Sequence, residues 1–212
     1  MLSISKEILA ELPKVEYEGK CHLIESASSA RDAVMYLRKQ KFIGFDTETR
    51  PNFQKGRTHK VSLLQLATLS ECFLFRLNKT GITSHIKSLL ESETVTKVGL
   101  STKDDFHSLA KLCNDLRPQG FLELQSWVKD YDIKDNSLAR IYAIIFGKRI
   151  SKTQRLTNWE ADQLTESQLN YAALDAWACL KIYLHLSSGA FDPASSPYKD
   201  LTDDDDKKTV KE

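Results

Sequence analysis

Residues 42–49 read FIGFDTET, an apolar run that leads directly into two carboxylates. The run predicts a buried strand, and strand-like patterns follow at 61–68 and 72–77. No helical pattern lies between residues 42 and 78, so no parallel crossover is available to join these segments. We therefore expect three consecutive strands that are antiparallel neighbours in one sheet.

The flanking sequence predicts further strands and several helices around this meander. Strand patterns occur at 20–25, as an edge strand, and at 94–100. Helical spacing marks five segments: 28–39, 83–90, 104–113, most of 122–147, and 165–184. Ser28 and Ser29 are N-cap candidates for the first helix, and Thr165 with Gln168 forms a capping box for the last. A meander followed by strand–helix alternation predicts an α/β fold with helices packed on a mixed sheet.

The composition indicates one globular domain. Of the 212 residues, 41% are apolar and 28% are charged, which excludes a disordered protein, a collagen-like repeat and a small disulfide scaffold. No stretch approaches the roughly 18 apolar residues of a membrane helix, and residues 1–12 lack the apolar segment of a secretory signal. We expect an intracellular, cytoplasmic protein that does not bind membranes.

The net charge of +1 hides an asymmetry along the chain. Residues 191–212 contain seven acids and four lysines, whereas residues 1–190 contain 26 basic and 22 acidic residues. We expect a folded domain over 1–190 and an acidic, disordered tail over 191–212. The basic excess of the body is compatible with a polyanionic partner but does not establish one.

Two carboxylates occupy one face at the end of the most apolar strand. The period of two places Asp46 and Glu48 on that face, and Phe45 and Thr47 on the other. Carboxylates one strand repeat apart repel each other unless a cation lies between them. A solvated strand end with a helix cap nearby is the alternative interpretation.

Further acids occur on two predicted helices. Asp104 and Asp105 begin one helix, where interaction with the helix dipole is the ordinary explanation. In the last helix, Tyr171 and Asp175 lie one turn apart among apolar neighbours. An aspartate in such surroundings is costly to bury unless it is paired or binds a metal. An exposed position on an amphipathic helix is the alternative for Asp175.

The order of these acids resembles the DEDDy group of 3′–5′ exonucleases, which includes ribonuclease D and the Werner syndrome exonuclease domain. The resemblance covers about residues 15–188. It rests on five features: FDTET at 45–49, LLQL at 63–66, Gly99 six residues before Asp105, RLTNW at 155–159, and YAALDA at 171–176. The resemblance implies an RNase H-like fold, with a mixed five-stranded sheet flanked by helices. It also selects Asp105 over Asp104 as the catalytic acid.

The resemblance implies a two-metal hydrolysis of nucleic acid, DNA or RNA, from the 3′ end to 5′-mononucleotides. Asp46 would bridge two divalent cations, Glu48 and Asp175 would complete the site that activates water, and Asp105 would hold the second cation through ordered water. Tyr171 would orient the attacking water. Hard oxygen ligands suit Mg²⁺ or Mn²⁺.

One position supports the tyrosine variant of the family, and two positions depart from the family pattern. Asn170 stands where the related enzymes that use histidine place that residue, which favours the tyrosine variant. His107 replaces an aromatic wedge of the Werner-type domain, and Glu123 replaces the commoner aspartate. We expect both of these positions to bear on substrate handling.

Two basic stretches suit a nucleic-acid backbone. Residues 50–60 carry four positive charges and no acid, and four more lie at Lys148, Arg149, Lys152 and Arg155. Solvated loops are the alternative for both stretches. Trp159 is expected either to shape the substrate groove or simply to pack in the core.

Two other functions remain open at this point. Asp46-Thr47-Glu48-Thr49 resembles the D-x-D-x-T motif of haloacid-dehalogenase-type phosphatases, although Glu48 is one methylene too long and Tyr171 and Asp175 would have no role. The other is a catalytically weak exonuclease fold that acts as a nucleic-acid-binding or interaction module. Retention of all four acids and the tyrosine disfavours it.

Overall fold

The computed structural model describes residues 1–52 and 59–200, and these form a mixed sheet flanked by helices. Its strands are β1 (Lys20–Ile24), β2 (Phe42–Thr49), β3 (Val61–Ala67), β4 (Glu71–Arg76), β5 (Thr96–Gly99) and β6 (Phe121–Glu123). The order across the sheet is β1-β4-β3-β2-β5-β6. The helices are α1 (Lys6–Glu11), α2 (Ala27–Leu37), α3 (Leu77–Thr80), α4 (Ser84–Leu90), α5 (Thr102–Ala110), α6 (Leu124–Trp127), α7 (Leu138–Phe146) and α8 (Glu166–Ser187). Short 3₁₀ turns span Val128–Tyr131 and Pro193–Ser195.

The predicted meander is confirmed. β2 pairs with β3 and β3 with β4, both antiparallel, as expected for strands whose sequence shows no helical pattern between them. The predicted edge strand is also confirmed, and β1 runs parallel to β4. On the other side, β5 runs parallel to β2 and β6 runs parallel to β5.

The strand count and one helix start differ from the prediction. The described residues form six strands rather than five, because 121–123, at the start of the stretch 122–147 that was expected to be mostly helical, pairs with β5. Three residues are too short to show a strand period, so hydrogen bonding to β5 decides their conformation. Ser26, not Ser28 or Ser29, caps α2, and the Ser29 hydroxyl accepts a hydrogen bond from the Ser26 amide.

Two apolar clusters cover the two faces of the sheet. Helices α7 and α8 pack on one face, and α2 and α4 pack on the other. Helix α8 lies tightly against β2, where a Cβ on Gly44 would overlap the Ala176 carbonyl oxygen. Glycine at 44 therefore permits α8 to lie directly against β2. The predicted capping box of α8, Thr165 with Gln168, is present.

Residues 191–200 contact the N-terminal residues. The Ser3 amide donates to the Tyr198 carbonyl (2.9 Å), and Lys134 forms an ion pair with Asp200 (2.9 Å). Residues 201–212 of the predicted tail lie outside the described residues, and the boundary at 190 stays a prediction. Within the described ranges, we find no helix with the length and apolar character needed to span a bilayer.

Candidate active site

The end of β2 extends past its neighbour in the sheet. β5 pairs with β2 over Phe42–Gly44 and ends at Gly99. Asp46 and Glu48 therefore lie beyond the last β2 residue that pairs with β5, while both still pair with β3. A cavity of about 380 Å³ opens there, between β2, the start of α5 and the middle of α8. Asp46, Glu48, Asp105 and Asp175 all line it.

Three of these carboxylates form a compact cluster. Asp46, Glu48 and Asp175 each offer an oxygen, and the three oxygens lie within 4.8 Å of one another. Glu48 is 8% exposed and Asp175 is 7% exposed, while Asp46 is half-buried. Because Gly44 lets α8 approach β2, Asp175 reaches the two strand carboxylates. Asp175 is therefore buried beside acids, not exposed on an amphipathic helix.

Asp105 reaches the same cavity from the first turn of α5. It is half-buried, and the Thr47 hydroxyl donates a hydrogen bond to its carboxylate (2.5 Å). Asp104 also lines the cavity but is exposed. Thr47, predicted on the opposite side of β2 from Asp46, thus links β2 to the helix that carries Asp105.

Glu123, on the neighbouring strand β6, holds the start of α5. Ser101, the N-cap of α5, has a left-handed backbone (φ 63°), and its own side chain does not cap the helix. Instead the Glu123 carboxylate accepts from the amides of Ser101 (2.9 Å) and Thr102 (2.7 Å) and from the Thr102 hydroxyl (2.9 Å). It also accepts from the Gln125 amide (3.0 Å). Glu123 therefore holds the turn that carries Asp105, and its expected effect on substrate handling stays a prediction.

Burial and mutual repulsion raise the pKa values of the clustered acids. Burial raises the pKa of Glu48 to about 10 and that of Asp175 to about 7, and nearby Asp46 and Asp175 add to the effect on Glu48. The pKa of Asp46 lies well above its usual value, first through burial and then through Asp175. Burial, followed by repulsion from Asp46, raises the pKa of Asp105 to about 8. Ionising these hard oxygen donors together requires positive charge in the cavity, which divalent cations would supply.

Tyr171 and two basic residues moderate the negative charge. Burial raises the pKa of the Asp175 carboxyl, and the nearby Tyr171 hydroxyl, Lys152 and Arg155 partly offset that rise. Burial, then repulsion from Asp175 and Glu48, raises the pKa of the Tyr171 phenol, so the group stays protonated at neutral pH. Tyr171, Lys152 and Arg155 all line the cavity.

Comparison with known proteins identifies the family. The model of a 3′–5′ exonuclease family matches residues 21–189. The chain belongs to the 3′–5′ exonuclease family. The resemblance drawn from the acid pattern is thereby confirmed. The phosphatase interpretation is wrong, because the exonuclease model matches residues 21–189, which include Tyr171 and Asp175.

Relatives of this exonuclease family cover most of the chain. The "Bifunctional 3′-5′ exonuclease/ATP-dependent helicase WRN" of Mus musculus is 30% identical over 197 residues, which are 87% of this chain and 14% of that protein. A "3′-5′ exonuclease" of Arabidopsis thaliana is 33% identical over 150 residues, which are 67% of this chain and 51% of that protein. The chain thus spans about half or less of the length of these two relatives. The crystal structure of the Aedes aegypti Nibbler EXO domain superposes with a TM-score of 0.71 at 24% identity, covering 84% of this chain and 93% of that one. This likeness confirms the RNase H-like fold.

The predicted substrate-binding residues of this family member lie in different places. Lys152 and Arg155 line the cavity that the four carboxylates share, whereas Arg149 lines a neighbouring groove. Lys148 and His107 are exposed and do not line that cavity. Trp159 is fully buried and packs against Tyr171, with ring centroids 6.1 Å apart, which favours packing over substrate contact.

The basic stretch 50–60 is described only at its two ends, because residues 53–58 lie outside the described part of the chain. Arg50 and His59 both pair with Glu160, at 3.2 Å and 3.0 Å. Glu160 therefore ties both ends of this stretch to the segment before α8.

Sequence reasoning missed one polar residue beside the cluster. Gln65 lies directly opposite Asp46 in the β2–β3 pairing, so both side chains point to the α8 side of the sheet. Gln65 is fully buried, and among the described residues neither of its amide atoms has a hydrogen-bond partner. A buried amide next to a charged cluster fits a site that holds polar ligands. The signal was present, since Gln65 interrupts an otherwise apolar run at 63–67.

Proposed function

We propose that this chain is a DEDDy-type 3′–5′ exonuclease, which hydrolyses DNA or RNA from the 3′ end and releases 5′-mononucleotides. The observation that supports it most directly is the convergence of Asp46, Glu48 and Asp175 within 4.8 Å in a cavity that Asp105 also lines. Membership of the exonuclease family gives this cluster its chemical context.

The four carboxylates would hold two divalent cations, Mg²⁺ or Mn²⁺. Asp46 would be shared, Glu48 and Asp175 would complete one site, and Asp105 would serve the other. When bound, such cations supply an activated water and stabilise the oxyanion that leaves. The raised pKa values of the acids support this assignment, because positive charge in the cavity would let all four ionise together.

The remaining lining residues suit the other tasks of hydrolysis. Tyr171, protonated and next to Asp175, can donate a hydrogen bond that orients the attacking water. Lys152 and Arg155 bring positive charge to the same cavity, where a phosphate of the strand would lie.

An intracellular, cytoplasmic location is part of the same proposal.

Digestion of a 5′-labelled oligonucleotide tests the function. With Mn²⁺, the parent protein should give a descending ladder and release 5′-mononucleotides, and excess EDTA should stop the reaction. Matched DNA and RNA strands would identify the preferred sugar. Internal cleavage, or equal activity in EDTA, would refute the proposal. Binding without any hydrolysis would support a nucleic-acid-binding module instead.

A further inference from the structure

A second groove, of about 590 Å³, lies beside the catalytic cavity. We call it the α1–α7 groove, because it runs between these helices and the segment 149–153. Ala139, Ile150 and Lys152 line both the groove and the catalytic cavity. A molecule with one end at the clustered carboxylates can therefore continue into the groove along shared walls.

The lining of the α1–α7 groove is positive. Lys6, Arg140, Arg149 and Lys152 contribute to it, and none of the described lining residues is acidic. A different pocket, which also borders Tyr171, includes Glu16, and this acid forms a 3.3 Å ion pair with Lys14. Compared with that pocket, the α1–α7 groove is better suited to a polyanion.

The basic walls of the groove are held in place by the fold. Arg140 donates to the buried Asp135 carboxylate (2.8 Å), which also accepts from the Ile4 amide (2.9 Å) at the N-cap end of α1. Arg149 donates from Nε to the Leu12 carbonyl (3.0 Å) just after α1. These contacts fix α1 relative to α7, so the groove exists before any ligand binds.

The groove also has an apolar component. Leu9 and Ala10 of α1 face Ala139 and Ile150 across it. Cationic walls with an apolar floor suit a single strand, which presents phosphates together with unpaired bases and sugars. In a duplex the base faces are stacked and paired, so such a floor has little to contact.

We infer that the α1–α7 groove binds the single-stranded segment of DNA or RNA on the 5′ side of the scissile phosphate. This inference rests on the proposed exonuclease function and adds its substrate class, a single-stranded 3′ tail several nucleotides long. Lys6 is the residue through which α1 would contact the tail phosphates.

Charge reversal of Lys6 gives a clean test of the groove. Lys6 is exposed and is the first residue of α1, where an acid interacts favourably with the helix dipole, so Lys6→Glu should not unfold the helix. Lys39→Glu is a matched control, because Lys39 is exposed and follows α2 on the opposite face of the sheet. Binding of a single-stranded 16-mer and a 3-mer is measured by titration calorimetry in EDTA with the full chain.

We expect Lys6→Glu to weaken binding of the 16-mer about fivefold or more, the size of one lost surface charge contact, and to leave binding of the 3-mer unchanged. Lys6→Ala should lower the salt slope for the 16-mer by about 0.7. Lys39→Glu should change neither affinity. Three results for Lys6→Glu would overturn the inference. They are an unchanged affinity for the 16-mer, an equal loss of affinity for the 16-mer and the 3-mer, or an equal loss of affinity for a blunt duplex. The exonuclease proposal is judged separately, by whether the parent degrades the 16-mer with Mn²⁺.

Discussion

Glu123→Gln is expected to loosen the start of α5 and to slow hydrolysis. Each carboxylate oxygen of Glu123 accepts two hydrogen bonds. Oε1 accepts from the amides of Ser101 and Gln125, and Oε2 accepts from the amide and the hydroxyl of Thr102. The substitution turns one oxygen into an amide donor, so two of the four donors lose their acceptor. At about 1 to 1.5 kcal/mol for each loss, the free energy of unfolding should fall by about 2–3 kcal/mol.

The same change should reduce kcat, because the turn that Glu123 holds also carries Asp105. A small displacement of a catalytic carboxylate lowers the rate by about 10- to 100-fold. Urea unfolding measures the loss of stability, and exonuclease kinetics measure the loss of kcat. We also expect weaker cation binding, which a Mn²⁺ titration measures. Glu93→Gln, on an exposed residue, is the control and should match the parent.

Glu123→Asp separates charge from reach. It retains both oxygens but is one methylene shorter, so we expect stability and kcat between those of the parent and Glu123→Gln. If the free energy of unfolding of Glu123→Gln lies within about 0.5 kcal/mol of the parent value and the variant keeps the parental kcat, Glu123 does not position Asp105.

Three further predictions concern the carboxylates and their neighbours. Asp46→Ala should abolish turnover at any Mn²⁺ concentration, whereas Tyr171→Phe should retain Mn²⁺ binding and slow hydrolysis about 10²-fold; parental activity in Asp46→Ala would refute the site. In EDTA, the pKa of Asp175 is higher in the folded protein than in the unfolded chain, so protonation of Asp175 stabilises the folded state. This stabilisation is fully present at a pH below the pKa of the unfolded chain, and it is lost as the pH rises through about 7. The melting temperature should therefore fall from pH 5 to pH 8, and the fall should be smaller in Asp175→Asn. An equal dependence of melting temperature on pH in the variant and the parent would show that Asp175 is not the group responsible. Alanine at both Lys152 and Arg155 should raise KM more than it lowers kcat, because ground-state binding is lost; an unchanged KM and salt slope would leave both residues without a role in strand binding.

The local features of this protein could be predicted from its sequence. The period of two placed Asp46 and Glu48 on one face of β2, and the helical period placed Tyr171 and Asp175 one turn apart on α8. Both follow from backbone geometry and need no knowledge of neighbouring elements. The order of acids along the chain was sufficient to identify the family, and the absence of a crossover between 42 and 78 predicted the antiparallel meander.

The positions that depend on contacts distant in sequence could not be predicted. Residues 121–123 became a strand because β5 pairs with them, and that pairing places Glu123 beside the start of α5. Trp159 lies wholly inside the core, although its motif left a role in the substrate groove open beside the favoured packing role. The α1–α7 groove joins residues more than 130 positions apart. The periodicity of a segment determines which residues share a face, whereas packing between segments determines what that face contacts, and only the tertiary structure contains that information.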